Sequence, residues 1–378
     1  MRGKQWLCRR FAKHRAAKCA GRQKRYGEER KTKLYSGLFC LAVGLFVLYG
    51  KELPLFRMPE AGYGILMRVA KHGRETTDER TLPVHYAEAS GTFLSIHHAK
   101  GVIPEYVPSI KETLSVSVTE ILEERFGSLD QVEFQSFLFN YYIEDVSTKA
   151  TAEVLHPASL AAYNPTITKT GEPQILIFHT HGSEGYADSK AGVTSDTVMG
   201  AGEVLAKELR ETYGYNVIHE TTVFDRKADG SDDRNNAYNN ALPVITKILE
   251  ENPSIEVVID LHRDSGDART SVINGVSTAK VMLFNGLCRT KDGPISYYSN
   301  PNLQGNLGFG LHLQITGNEL YPGLMHRIYL KSYRYNMHLK ERYILVELGT
   351  HKNTVAEAKA AMIPFAETIA TVLSGGSE

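Results

Sequence analysis

The sequence predicts an α/β fold, a mostly parallel central sheet flanked by helices, preceded by one transmembrane helix. Three observations carry this. Beyond Gly171, short apolar runs alternate with stretches of helical spacing, the pattern of strands and covering helices in a parallel sheet. Residues 34–50 (LYSGLFCLAVGLFVLYG) hold no charge and reach the lower length limit for crossing a bilayer. Three of the later apolar runs stop in histidine or glutamate, at the strand ends where open α/β sheets bind ligands.

In chain order, the formal net charge of zero over 378 residues is a cancellation. Residues 1–33 carry thirteen Lys or Arg against only Glu28 and Glu29, so this tail is strongly basic and the remainder equally acidic. Beside an apolar span, a basic tail stays in the cytoplasm and leaves residues 51–378 outside. The span reads as an uncleaved anchor, because its basic flank far exceeds a signal n-region and Lys51, Glu52, Leu53 and Pro54 offer no small-residue cleavage site. Trp6, Phe11 and Tyr26 are scattered through the tail without forming a nucleic-acid module, so no nucleic-acid partner is expected. Cys288 is the one cysteine beyond the span, which excludes an internal disulfide in the outer part.

Residues 51–169 are expected to form a juxtamembrane spacer or small accessory region. Residues 109–126 place apolar side chains at roughly helical spacing, and 132–142 (VEFQSFLFNYY) are apolar and aromatic without a clear period. Residues 170–376 form the expected catalytic domain. Strands are predicted at 174–179, 216–221, 255–261, 280–284, 327–330 and 343–347. Helices are predicted at about 198–213, 236–251, 304–320 and 354–374.

The chemistry gathers at three strand ends. The run QILIF at 174–178 passes directly into His179, His181 and Glu184; IDLHRDS at 259–265 ends in His262, Arg263 and Asp264; YILVE at 343–347 ends in Glu347. In a parallel sheet these ends share one edge. A hydrolytic zinc site needs three protein ligands, an open position for water and a carboxylate that is not a ligand. The assignment is His181, Glu184 and His262 as Zn2+ ligands and Glu347 as general base, passing a proton to a leaving nitrogen. Arg263 either steadies a developing oxyanion or pairs with Asp264 or another acid. His179 competes for the first ligand position if the extended pattern continues beyond residue 178. Asp260 and Asp264 are candidate partners for a ligating imidazole.

The blocks HTHGSEGY, DLHRDS, ELYPGLMHRIYLKSYRYNMHL and ILVELGTHKNT, in that order across about 170–375, resemble the stage II sporulation protein P family of endospore-forming bacteria. The resemblance implies a membrane-anchored, zinc-dependent N-acetylmuramoyl-L-alanine amidase with a zinc amidase or carboxypeptidase-like fold. In zinc carboxypeptidases the ligands run H-x-x-E, then a distant His, then a catalytic Glu, the order of His181, Glu184, His262 and Glu347 here. It further implies peptidoglycan as substrate, with stem-peptide cross-links a second target, and work during engulfment at the forespore septum beside sporulation proteins D and M. A zinc carboxypeptidase or endopeptidase on stem peptides, or a catalytically silent wall-binding scaffold, is the alternative. The chain departs from the family pattern at Gly182, where Thr is usual, and at His351, where Asn is frequent.

Overall fold

The computed structural model describes residues 117–376. The basic tail and the anchor expected at 34–50 lie outside them. Among the described residues no helix is long and apolar enough to cross a membrane.

The centre is a seven-stranded sheet. Its strands are β1 (Tyr142–Glu144), β2 (Ile175–Phe178), β3 (Val217–His219), β4 (Val257–Asp264), β7 (Val281–Gly286), β10 (Met325–Lys331) and β11 (Arg342–Thr350), in the order β1-β10-β7-β11-β4-β2-β3. All neighbours are parallel except β7 and β11, so two parallel groups meet at one antiparallel ladder. The hairpin β5 (Thr270–Ile273) and β6 (Val276–Ala279) turns through Asn274 and Gly275, both at positive φ, the residue pair favoured in two-residue hairpin turns. A small ribbon, β8 (Arg289–Thr290) with β9 (Gly293–Pro294), follows β7.

Alternation along the strands separates two cores. Ile175, Ile177, Val257, Ile259, Leu261, Ile344, Val346 and Leu348 belong to the larger one. It is completed by α1 (Val118–Phe126), α2 (Phe134–Tyr141), α3 (Pro157–Ala161), α4 (Val198–Glu211), α6 (Leu303–Leu320) and α7 (Val355–Ser374). Leu176, Phe178, Val258 and Tyr343 point to the other face, where α5 (Ala237–Glu251), Met337 and Leu339 cover them. On that second face the next residues along β4 and β11 are Asp260, His262, Leu345 and Glu347. The apolar covering therefore gives way to ionisable side chains toward one sheet edge.

Two expectations change. Residues 117–169 are not a region apart: Phe137, Tyr141 and Tyr142 are buried in the larger core, and β1 pairs with β10 as an edge strand of the central sheet. The aperiodic run at 132–142 is a short helix entering a strand. Strands β4 and β11 also run past the predicted ends at 261 and 347, because their ladder continues through Glu347↔His262 to Thr350↔Asp264. A register shift between these pairs falls at Gly349, which holds φ at 59°.

Phe178 is fully buried in the smaller core. Its truncation to Ala should cost about 3–5 kcal/mol. Thr354, the first member of a capping box with Glu357 that starts α7, should cost only about 1 kcal/mol on change to Ala. Urea unfolding followed by circular dichroism measures both.

Candidate active site

Strand β2 ends at Phe178, and the chain turns at once. Asp260, wholly buried on β4, pins that turn by accepting from the Thr180 backbone N–H (2.8 Å) and hydroxyl (2.7 Å). Ser183 is fixed in the same way on Asp225, through its N–H (3.3 Å) and hydroxyl (2.5 Å). Between these anchors the turn presents His181 and Glu184 to β4.

His262 is the centre of the group. Its Nε2 lies 2.8 Å from Asp260 Oδ1 and its Nδ1 3.6 Å from Glu184 Oε2. The His181 ring stands edge-on to it, 5.2 Å between centroids. Glu184 Oε2 accepts from the Arg263 backbone N–H at 3.0 Å, and Oε1 accepts from the Arg234 guanidinium. Glu347 is paired in register with His262 across the β11–β4 ladder.

The charges follow from these neighbours. Burial alone would depress His262, but Asp260 and Glu184 raise its pKa well above the ordinary imidazole value. Burial lowers His181 to about 4, with His262 and Arg234 adding to the shift. Burial would raise Glu184, yet His262, Arg234 and the Arg263 N–H bring it down to about 2. Glu347 moves oppositely: burial, reinforced by Glu184, Asp264 and Asp260, pushes it up to about 8 against the pull of His262. Without a metal, the site keeps a proton on His262 between two carboxylates.

The donor set suits a cation in place of that proton. His181 Nδ1 and Glu347 Oε2 are buried without hydrogen-bond partners, a costly state unless something else satisfies them. Two donors of one tetrahedral zinc stand about 3.4 Å apart, close to the 3.6 Å between His262 Nδ1 and Glu184 Oε2. Among the described residues no three such side chains already close around a common point. The Arg234 guanidinium lies instead on the Glu184 carboxylate.

His179 faces away from this group. Its Nδ1 is 2.8 Å from the Leu261 carbonyl and its Nε2 2.9 Å from His219 Nε2, which uses both ring nitrogens. The strand ends before it, so the alternation that made it a competitor does not continue. Arg263 donates Nε to the Gly185 carbonyl (3.0 Å) and keeps Nη1 3.7 Å from Glu184 Oε1. These contacts are those of pairing with an acid, the second of its two expected roles. Asp264 pairs with Arg269 at 2.7 Å and leaves the imidazole to Asp260. At Gly182 a side chain would meet the Met199 methyl 2.1 Å from its Cβ, so Met199 fills the space of the usual Thr.

Arg234, Asp225 and Tyr238 are the site residues the sequence reading missed. Tyr238 lies nearly parallel to His262 at 6.3 Å and edge-on to His181 at 5.7 Å. All three residues sit in or beside the polar connection between β3 and α5. That connection leaves the same sheet edge as the His181 turn, which was the available signal. A separate cleft of about 640 Å³, lined by Glu153, Tyr163, Arg289 and Glu341 among others, shares no residue with this site.

Imidazoles and carboxylates gathered where three adjacent parallel strands end define an α/β protein with a polar site at its sheet edge. The chain belongs to the stage II sporulation protein P family, which it matches over residues 124–370. Stage II sporulation protein P of Bacillus subtilis (strain 168) is 24% identical over 217 residues, covering 53% of this chain and 51% of that protein. The chain thus spans about half the length of the curated relative it matches. Similar solved structures include the N-acetylmuramoyl-L-alanine amidase AmiC2 of Nostoc punctiforme, at 17% identity and TM-score 0.32, covering 54% of this chain and 96% of that one. Another is the N-acetylmuramyl-L-alanine amidase Ami1 from Mycobacterium abscessus, at 15% identity and TM-score 0.31, covering 55% and 100%.

Glu184 yields a pH prediction for the metal-free protein. Its folded pKa is depressed, so its contribution to stability is full above its ordinary value of 4.5 and is lost as pH falls toward about 2. Urea midpoints measured from pH 6 to pH 2 should fall less steeply in Glu184→Gln than in the parent.

Proposed function

We propose that this protein is a zinc-dependent N-acetylmuramoyl-L-alanine amidase that cleaves peptidoglycan during sporulation, held at the membrane by residues 34–50 with its catalytic domain outside. One observation carries the reading: in a member of the stage II sporulation protein P family, His181, Glu184, His262 and Glu347 come from three neighbouring parallel strands to one buried polar site.

His181, Glu184 and His262 would hold the zinc. When bound, the ion makes the attacking water more acidic and draws electron density from the amide carbonyl. The other parts belong to the protein's own side chains. Asp260 fixes the ring of His262 from behind, as a buried carboxylate does for a ligating imidazole. Arg263 ties Glu184 to β4 through its backbone N–H and to the turn through the Gly185 carbonyl. Glu347 takes the proton from water as its oxygen adds to the amide carbon, then delivers it to the nitrogen as the C–N bond breaks. Its elevated pKa suits a group that must both accept and release a proton near neutrality. Arg234, whose guanidinium lies on the Glu184 carboxylate, would share that carboxylate with the ion.

The full-length protein should carry stoichiometric zinc and release stem peptides from cell-wall sacculi, with a new amino terminus at L-alanine seen by mass spectrometry. His262→Ala should lose both metal and activity. Glu347→Gln should keep the metal and lose about a hundred- to ten-thousandfold in rate. Activity that survives chelation and both substitutions would sink the proposal; new amine ends within the stem peptide would assign an endopeptidase instead. Zinc uptake near pH 7 should also release a proton, from His262, into a weakly buffered solution containing an indicator dye.

A further inference from the structure

A row of aromatic rings leads out of the site. Tyr238, against His181 and His262, meets Tyr335 at 5.4 Å between centroids, and Tyr335 meets Tyr333 at 6.4 Å. Arg334, between those two in sequence, lies 4.6 Å over the ring of Tyr298, which touches Tyr297 at 5.1 Å. The outer members are open to solvent: Tyr333 is 54% exposed, Tyr298 43% and Tyr297 74%.

The segment that presents these rings is firmly built. Tyr335 and Asn336 occupy consecutive left-handed conformations, φ 47° and 58°, which asparagine tolerates but a tyrosine adopts only where its surroundings impose it. Those surroundings are visible. Asn336 donates to the Tyr238 carbonyl (3.0 Å), the fully buried Met337 receives the Gly286 N–H (3.3 Å), and Arg334 donates to the Ser299 carbonyl (3.1 Å). A Cβ on Gly286 would stand 2.0 Å from the Tyr333 carbonyl oxygen, so the segment closes on the end of β7 as only glycine permits. Outward-facing tyrosines on so fixed a frame are not needed for the core.

We infer that Tyr333 and Tyr298, continuing outward from Tyr238 and Tyr335, form the subsite that binds the glycan strand of the substrate. The inference rests on the amidase reading. The bond cut under that reading joins a neutral sugar to a charged peptide, and the surroundings of the site divide along the same line. At the strand ends stand ionic groups, Arg269 with Asp264 and Lys352 with Asp267. Over β7 stand rings: Tyr335 packs on Phe284 at 4.7 Å, and Tyr333 lies beyond it. A pyranose offers an apolar face of C–H groups ringed by hydroxyls, matching a tyrosine ring with its polar tip. A peptide bearing carboxylates and an ammonium matches the ionic side. Binding energy gathered on the sugar, away from the reacting bond, can orient that bond in the site.

The test is binding of peptide-free glycan chains, and separately of sugar-free stem peptide, to the full-length protein. The parent should bind the glycan. The double variant Tyr298→Ala with Tyr333→Ala should bind it about four- to hundredfold more weakly, each ring contributing about two- to tenfold, while the Tyr298→Phe, Tyr333→Phe pair keeps the rings and keeps binding. Unchanged circular dichroism and thermal midpoint show that the fold persists. The inference is overturned if the parent does not bind glycan, if the alanine variant binds it equally well, or if the loss falls on the stem peptide. Binding requires no hydrolysis, so the two readings fail separately. A protein that binds glycan through these rings yet cleaves nothing keeps the subsite and loses the amidase assignment. One that cleaves sacculi while the alanine variant binds glycan as the parent does loses only the subsite.

Discussion

The site depends on the placement of His262 between Asp260 and Glu184. A buried charge group of this kind is a poor source of net stability, because desolvation of each member offsets most of the attraction between them. What it does is fix geometry. Asp260 holds the turn after β2 through Thr180, and Glu184 binds the Arg263 backbone on β4 and the Arg234 side chain ahead of α5. One imidazole thereby ties together three parts of the chain that lie far apart in sequence.

Two side chains facing that group, His181 and Glu347, are left with unpartnered atoms in the described structure. The carboxylates that raise His262 are those that would stabilise a divalent ion, so proton and metal compete for the same negative charge. Glu347, raised by burial and further by its acidic neighbours, responds to the same field from the opposite side of the ladder.

Much of this was legible in the sequence. Strands β2, β4 and β11 are short apolar runs of high β propensity, and His181, Glu184, His262 and Glu347 stand where those runs meet polar residues. Parallel neighbours necessarily bring such ends to one edge. The extent of β4 and β11 was not legible, because hydropathy falls at residue 262 while the backbone ladder continues; pairing, not apolarity, sets where a strand stops. Edge strand β1 was missed because Tyr142 and its neighbours carry no alternating pattern. The β5–β6 hairpin did have a signal, Asn274-Gly275 between β-prone residues, that went unread. Arg234 and Tyr238 lie in a polar connection without periodicity, and only the tertiary fold brings them to His262 and Glu184.

The antiparallel ladder between β7 and β11 has a consequence for how such a protein can diversify. Strands β2, β4 and β11 end at one rim of the sheet, whereas β7 and β10 end at the opposite rim, and the tyrosine segment after β10 springs from there. The chemistry and the outer aromatic surface are thus rooted in separate borders of one scaffold. The borders still meet on the second face, where Tyr335 packs on Tyr238 and Asn336 donates to its carbonyl, so a loop change that shifts Tyr335 is felt beside His181 and His262.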